Sequence, residues 1–214
     1  LTSTETTNVP DSSIDAQTVS YNGLVQTTRS PTNLTYAYGY DALGRRISTT
    51  DPRTGTSTTH YDSHGRVDYV EDAAANRTTY GYDATTGRLA WVKNALDKYT
   101  RYAYNARGQV EYTWGDVPQP TETVYDTFGQ RWKLRTYRTE GYAWSGSTWP
   151  NPAEQDRDET VWTYQAATGL LTTKIYADGS TVRYTYTAEG RLATRTWARL
   201  VNRGTGGQLL TVDT

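Results

Sequence analysis

Apolar and polar positions along this chain fall into short alternating runs separated by turn residues, and the runs recur at a near-constant spacing. Val67, Tyr69 and Glu71 share one parity, as do Leu89, Trp91 and Lys93, and Val110, Tyr112 and Trp114. Trp132 and Leu134, then Leu192 and Thr194, continue the alternation. A period of two is the mark of a strand with two unlike faces. A second set of alternating runs contains Tyr80 and Tyr82, Tyr102 and Tyr104, Trp162 and Tyr164, and Tyr184 and Tyr186. No segment sustains a 3.6-residue period, so helix is expected to be nearly absent.

Between the two kinds of run stands a recurring turn. It reads Tyr40-Asp41-Ala42-Leu43-Gly44-Arg45 and then Tyr61-Asp62-Ser63-His64-Gly65-Arg66. Further copies start at Tyr82 (with Asp83 and Gly87), Tyr104 (Asn105, Gly108) and Tyr125 (Asp126, Gly129). Weaker ones start at Tyr164 and Tyr186. The starting tyrosines are 21, 21, 22, 21, 39 and 22 residues apart. Asp accepts hydrogen bonds from amides just ahead of it, and Gly supplies the positive φ at which the chain reverses. Glycines 44, 65, 87, 108 and 129 are therefore expected in the left-handed region. A second turn follows each first strand, at Asp51-Pro52-Arg53-Thr54-Gly55, Asp72–Asn76, Asn94–Asp97 and Asp178-Gly179. One repeat is thus strand, turn, strand, turn, with strands of roughly 5–6 residues. The fold class that follows is all-β: repeated hairpins forming a curved antiparallel sheet, left open because seven or eight hairpins are too few to close.

The repeats divide the chain. Residues 1–34 are a Thr/Ser-rich segment with a shortened copy at Tyr21-Asn22-Gly23-Leu24, and 35–136 hold regular repeats. Residues 137–159 form an inserted Gly/Pro/Trp loop that adds about 18 residues to the long spacing. Residues 160–197 resume the repeats, and 198–214 carry Gln208-Leu209-Leu210-Thr211-Val212, which has the pattern of an extra strand. Bare strand edges invite edge-to-edge pairing with another copy unless the terminal segments cover them.

Composition sharpens this picture. Leu, Ile, Val and Phe number 13, 3, 13 and 1 of 214, but there are 19 Tyr, 7 Trp and 40 Thr, so aromatic rings must supply the packing. Basic and acidic residues number 22 and 23, for a net charge of -1, which gives no surplus to bind nucleic acid. No apolar run is long enough for a membrane-spanning helix. Cysteine is absent, which removes disulfides, thiolate metal sites and thiol nucleophiles. Methionine is absent even at position 1, so the chain is expected to be a processed product or a piece of something longer.

The signature resembles the YD repeats of RHS proteins, a family that includes bacterial polymorphic toxins, insecticidal toxin-complex shell components and the animal teneurins. The family pattern Y-D-x-x-G-R-[LV] is near-complete at Tyr40, Tyr61 and Tyr82 and degraded at Tyr104, Tyr164 and Tyr186. The resemblance covers about residues 35–197. It implies a strip of a β-shell that encloses a toxin or other cargo domain in a secreted or cell-surface bacterial protein. The expected partners are neighbouring repeats and that cargo. Neither the family's paired Asp-Pro-x-Gly core elements nor a C-terminal toxin region is visible, and Asp51–Gly55 reads as an ordinary turn, so self-cleavage is not carried over.

Candidate chemistry is sparse. His60, Asp62 and His64 fall within five residues, but Asp62 is the turn residue and His64 its variable position, so no metal site is assigned. Acidic stretches lie at Asp68/Glu71/Asp72 and Glu154/Asp156/Asp158/Glu159; neither has the apolar setting that raises a carboxyl pKa for glycosidic acid catalysis. No catalytic residue and no cofactor is assigned. The Arg at 45, 66, 88 and 191 is expected to pair with the turn Asp of a neighbouring repeat or to lie along tyrosine rings. The leading reading is a non-catalytic structural module. A second is a carbohydrate-binding or adhesive surface built on Tyr142, Trp144 and Trp149, although those rings are expected first to anchor the loop onto the sheet. A repeat-based hydrolase is the third.

Overall fold

In a computed structural model of the protein, residues 1–7, 15–138, 141–201 and 208–213 are described. Parts of the N-terminal segment (8–14), the inserted loop (139–140) and the C-terminal segment (202–207 and 214) lie outside the described residues. The chain divides into two compact units, Leu1–Lys98 and Tyr99–Thr214. The cut falls in a second turn of the repeat, a place that the sequence did not mark.

The first unit is a meander of nine strands: β1 (Thr2–Thr7), β2 (Ala16–Tyr21), β3 (Leu24–Arg29), β4 (Thr35–Tyr40), β5 (Arg46–Asp51), β6 (Gly55–Tyr61), β7 (Val67–Glu71), β8 (Arg77–Tyr82) and β9 (Leu89–Lys93). Each pairs antiparallel with the next. Within the described part of the N-terminal segment, β1 lies in register along β2 from Thr2↔Tyr21 to Thr7↔Ala16. Asn22 and Gly23 close the β2–β3 hairpin with φ of 49° and 79°. Two successive positive φ values define the two-residue hairpin turn that matches strand twist.

The second unit repeats the plan with β10 (Tyr99–Tyr104), β11 (Val110–Gly115), β12 (Thr121–Tyr125), β13 (Arg131–Tyr137), β14 (Arg157–Tyr164), β15 (Leu171–Ile175), β16 (Thr181–Tyr186), β17 (Leu192–Val201) and β18 (Gln208–Asp213). Here too the partners are chain neighbours, and β18 pairs with β17. The only helical turn among the described residues is a 3-10 turn at Glu154–Asp156. The fold class read from the sequence holds: antiparallel hairpins throughout. The inserted loop is shorter than the sequence suggested. Tyr137 ends β13 and Arg157 opens β14, so Asp158 and Glu159 are strand residues.

Every repeat hairpin carries one irregularity at the same place. Register shifts occur at Gly39/Tyr40, His60/Tyr61, Gly81/Tyr82, Ala103/Tyr104, Val124/Tyr125, Thr163/Tyr164 and Thr185/Tyr186. Opposite each shift the partner strand holds one extra residue: Tyr125 faces Arg131 while Val124 faces Lys133, which leaves Trp132 unpaired. A bulge of this kind re-aims its extra side chain and increases strand twist. It also breaks the simple alternation. By its distance from the turn Gly, Trp132 matches Asp68 rather than Val67, so Trp132 and Leu134 are out of phase with the other first strands.

Burial is thin. Most strand residues are half-buried, and the buried apolar side chains among the described residues are Trp114, Pro120, Tyr137, Trp144 and Val182. Packing between strands therefore depends on cross-strand contacts within the sheet. One example is Gly81, where a Cβ would run into the Trp91 indole, so the ring lies flat across a position that only glycine leaves open.

Four of the second turns share one conformation but not one residue, whereas in the Asp51–Gly55 turn the positive φ falls one position later, on Gly55. Their left-handed position is filled by Asn33, Ala75, Asp97 and Gly179, with φ of 60°, 64°, 57° and 80°. In the Asp72 turn the Asp72 side chain accepts from the amides of Ala74 and Asn76, both at 2.9 Å. Ala75 has neither the freedom of Gly nor the local hydrogen bonding of Asn, and a left-handed alanine costs about 1 kcal/mol. Ala75→Gly is expected to stabilise the chain by up to about 1 kcal/mol. A rise in the urea midpoint at unchanged slope is the expected result; a fall would show that the turn is not held in this conformation.

Candidate functional site

The recurring turn is the feature that this chain builds seven times, and its geometry explains each signature residue. At Asp41 the main-chain amide donates to the Arg45 carbonyl, and the Gly44 amide donates to the Asp41 carbonyl, both at 3.0 Å. Asp41 Oδ1 accepts from the amides of Leu43 and Arg45 at 2.9 Å. Its Oδ2 accepts from Arg45 Nε and Nη2, both at 2.7 Å. Asp62 does the same with the amides of His64 and Arg66 and with the Arg66 guanidinium at 2.8 and 2.7 Å. A planar fork on one carboxylate oxygen is a geometry that Lys could not supply. Glycines 44, 65, 87, 108 and 129 have φ of 76°, 80°, 70°, 84° and 85°.

Two contacts then cross from one repeat to the next. The Arg45 guanidinium lies 4.2 Å from the Tyr61 ring centroid, and that of Arg66 4.3 Å from Tyr82. Arginine thus pairs with the Asp of its own turn, not a neighbour's, and stacks on the tyrosine of the following turn. The signature tyrosine reaches backward. Tyr40 Oη donates to the Val25 carbonyl at 2.8 Å, Tyr61 to Arg46 at 3.2 Å, and Tyr82 to Val67 at 2.8 Å. Tyr125 donates to Val110 at 2.9 Å and Tyr186 to Leu171 at 2.9 Å. All of these lie fifteen residues back. Across the insertion Tyr164 donates to Arg131 at 2.7 Å, 33 residues back, so 18 residues have been added without disturbing the tie (33 less 15).

Other copies keep the turn by other means. Asp83 has one extra residue in its turn and accepts from Thr86 through both its amide and its hydroxyl. At Tyr104, Asn105 replaces Asp, and its Nδ2 donates to Gln109 Oε1 at 3.1 Å. Gln109 Nε2 donates onward to the Gly129 carbonyl at 2.8 Å, and Gln130 Nε2 to Gly169 at 2.8 Å. Glutamine thereby replaces a ring contact with a hydrogen bond between turns.

The inserted loop folds onto the second unit. Trp144 is 6% exposed and packs with Trp114 and Tyr137 in one buried cluster, with Tyr142 and Trp149 against it. Trp149 lies 4.6 Å from Tyr112, 5.4 Å from Tyr137 and 5.2 Å from Trp144. Trp114 Nε1 donates to the Gly146 carbonyl at 3.0 Å. Tyr142 Oη donates to Asp156 at 2.6 Å and accepts the Ala153 amide at 2.9 Å. The three rings do not form an exposed row: they anchor the loop.

The remaining candidates are held apart. His60 Nδ1 pairs with Asp68 at 3.0 Å and its ring stacks on Tyr69 at 4.8 Å, whereas Asp62 is tied to Arg66. His60, Asp62 and His64 do not converge. Glu159 is bridged by Lys133 and Arg135, each at 2.9 Å, and Arg135 also holds Glu122 at 2.9 Å. Burial pushes the Glu159 carboxyl up, but the hydrogen bonds from Arg135 and Lys133 outweigh it and hold the group below its usual value. A general acid needs the opposite shift. Sequence reasoning missed this cluster because its members lie on three different strands.

The turn carboxylates set an acid limit. Burial pushes Asp41 and Asp62 up, yet the amides and guanidinium of Arg45 and Arg66 hold both below the ordinary value. Hydrogen bonds from Asn76 lower Asp72, and those from Thr86 lower Asp83. Depressed folded values give stability that is present above the unfolded pKa of about 3.9 and is lost as pH falls through the folded values. Urea unfolding at a series of pH values should show stability falling once pH drops below about 4, and a flat profile down to about pH 2 would contradict the turn assignment. Tyr82→Phe, which leaves the Val67 carbonyl without its donor, should cost about 1 kcal/mol by the same measurement.

Comparison with known proteins agrees with this geometry. A family model described as RHS Repeat matches residues 20–56, 40–71 and 167–198. No match is found among curated proteins. Among solved structures, the crystal structure of TcdB2-TccC3-Cdc42 superposes with a TM-score of 0.67 at 18% identity, over 96% of this chain and 11% of that one. A Photorhabdus luminescens Tc holotoxin pore carrying a TccC3 mutation gives 0.58 at 17% identity, over 93% of this chain and 12% of that one. TcdB2-TccC3-TEV gives 0.56 at 17%, over 93% and 12%. The chain spans only about a tenth of these structures' length, and the likeness is one of fold. The family model and the recurring turns agree: RHS repeats are matched over residues 20–71 and 167–198, and the same Tyr-Asp-x-x-Gly turn with its backward tyrosine tie occurs at Tyr125, between those stretches.

Proposed function

We propose that this chain is a non-catalytic wall segment of an RHS-type shell, in which a larger secreted bacterial toxin protein encloses a toxin or other cargo domain. The observation that carries the reading is the direction of the contacts. Arg45 and Arg66 each lie on the tyrosine of the next turn, and the tyrosines reach back to a carbonyl in the preceding repeat. Tyrosines at six turns and arginines at two are thereby occupied in joining a hairpin to its neighbour, and repeats of this kind derive stability from their neighbours. The Tc toxin structures to which the chain is similar support a place in such an assembly. Its partners would be the adjoining repeats and the enclosed domain.

Electron microscopy of the complete gene product should show these hairpins in the wall of a hollow particle, with a protease-protected domain inside. A solid particle, or one in which these repeats hang free of any enclosure, would overturn the reading. The adhesive alternative has its own check: glycan addition should leave the Trp fluorescence of the chain unchanged. A saturable change abolished by Trp149→Ala would favour that alternative instead.

A further inference from the structure

One turn keeps the carboxylate of the repeat but loses its arginine. At Asn105 both halves of the ion pair are replaced, and the two amides satisfy each other. At Asp126 the carboxylate remains but the arginine has become Gln130, whose amide is turned away to the Gly169 carbonyl. Asp126 Oδ1 accepts from the amides of Phe128 and Gln130 at 2.9 and 2.8 Å. No cation among the described residues forms an ion pair with this carboxylate, in contrast to Asp41 and Asp62.

The same place is an open cleft of about 520 Å³ lined by Asp126, Phe128, Gln130, Trp132, Trp162 and Tyr164. Its counterpart in the first unit is lined by Asp41, Arg45, Ile47 and Tyr61, and there the Arg45 guanidinium occupies the angle between carboxylate and ring. Asp126 and Tyr164 keep both walls of that angle and lack the guanidinium. The surroundings have become more aromatic. Phe128 stands where Leu43 stands in the intact turn, Trp132 replaces Ile47, and Trp162 replaces Thr59. Phe128 is 79% exposed and Trp132, the bulge residue, 45% exposed. Four cations lie nearby: Arg131 and Lys174 over Trp162 at 5.6 and 5.4 Å, Lys133 over Trp132 at 4.7 Å, and, on the other side of the turn, Arg107, which donates to the Thr127 carbonyl. They do not bar a further one. Arg46, the counterpart of Arg131, sits next to Arg45 in the intact turn and leaves it in place.

We infer that this cleft binds a guanidinium group from outside the repeat, an arginine side chain presented by another polypeptide segment. The guanidinium would donate a fork of N–H bonds to Asp126 Oδ2 and lie along the Tyr164 ring, as Arg45 does between Asp41 and Tyr61. Phe128 and Trp132 would cover its aliphatic stem. The inference stands apart from the shell reading, since it needs only the Arg-to-Gln departure at this turn.

The test uses the full chain titrated with Nα-acetyl-arginine amide and, as the neutral isostere, Nα-acetyl-citrulline amide, followed by Trp fluorescence. The arginine derivative should bind, weakened by salt, and the citrulline derivative should bind at least roughly ten-fold less tightly. Gln130→Arg places the chain's own guanidinium in the angle. It should abolish the fluorescence response while melting at an equal or higher temperature, which separates occupancy from unfolding. Asp126→Asn should lose the discrimination between the two derivatives. Equal responses to arginine and citrulline, no response to either, or wild-type binding by Gln130→Arg would overturn the inference.

Discussion

A hydroxyl hydrogen bond to a carbonyl one repeat back is the contact on which the rest of this structure depends. Few side chains are fully buried, so a hairpin here has no deep core to hold it. An isolated two-stranded hairpin is marginal in water. What fixes one hairpin to the next is main-chain pairing plus the tyrosine tie, which sets the neighbouring turns at a constant offset. The bulge opposite every signature tyrosine belongs to the same device, because its extra residue on the partner strand increases the twist at the place where the ring leaves the sheet. Arginine adds a second link by joining its own carboxylate to the next ring.

The departures show which parts of the device are indispensable. Asn105 and Gln109 remove both charges and the turn survives, because amides reproduce the hydrogen bonds. The insertion after Tyr137 lengthens one repeat by 18 residues, and Tyr164 still reaches the same backbone position. That insertion brings its own packing, in the cluster of Trp144 and Trp149 on Trp114 and Tyr137. In the first unit no described side chain is fully buried and no such cluster forms among the described residues, so pairing between neighbours carries more of the load there.

Much of this was legible in the sequence, for a physical reason. The first turn needs a carboxylate or amide at one position and positive φ three residues later, and few residue types meet those needs, so the pattern is spelled out at Asp41/Gly44 and again at Asp126/Gly129. The second turn was harder to place, because Asn33, Ala75, Asp97 and Gly179 all fill its left-handed position. The tyrosine tie was invisible, since its acceptor is a main-chain carbonyl that Val25, Arg46 or Leu171 supplies equally well. The bulge was hidden too, and it shifted the expected phase of Trp132 and Leu134. The Glu122–Arg135–Glu159 bridge joins residues up to 37 positions apart (159 less 122), beyond the reach of local pattern.

The central claim is that the Tyr82 side chain couples its repeat to the preceding one, through its hydroxyl on the Val67 carbonyl and its ring against the Arg66 guanidinium. A double-mutant cycle with Arg66→Ala, Tyr82→Leu and the double variant, read by urea unfolding, tests it directly. Coupling of about 1 kcal/mol, well outside additivity, is the predicted result. Additive losses, with a coupling within about 0.3 kcal/mol of zero, would contradict it.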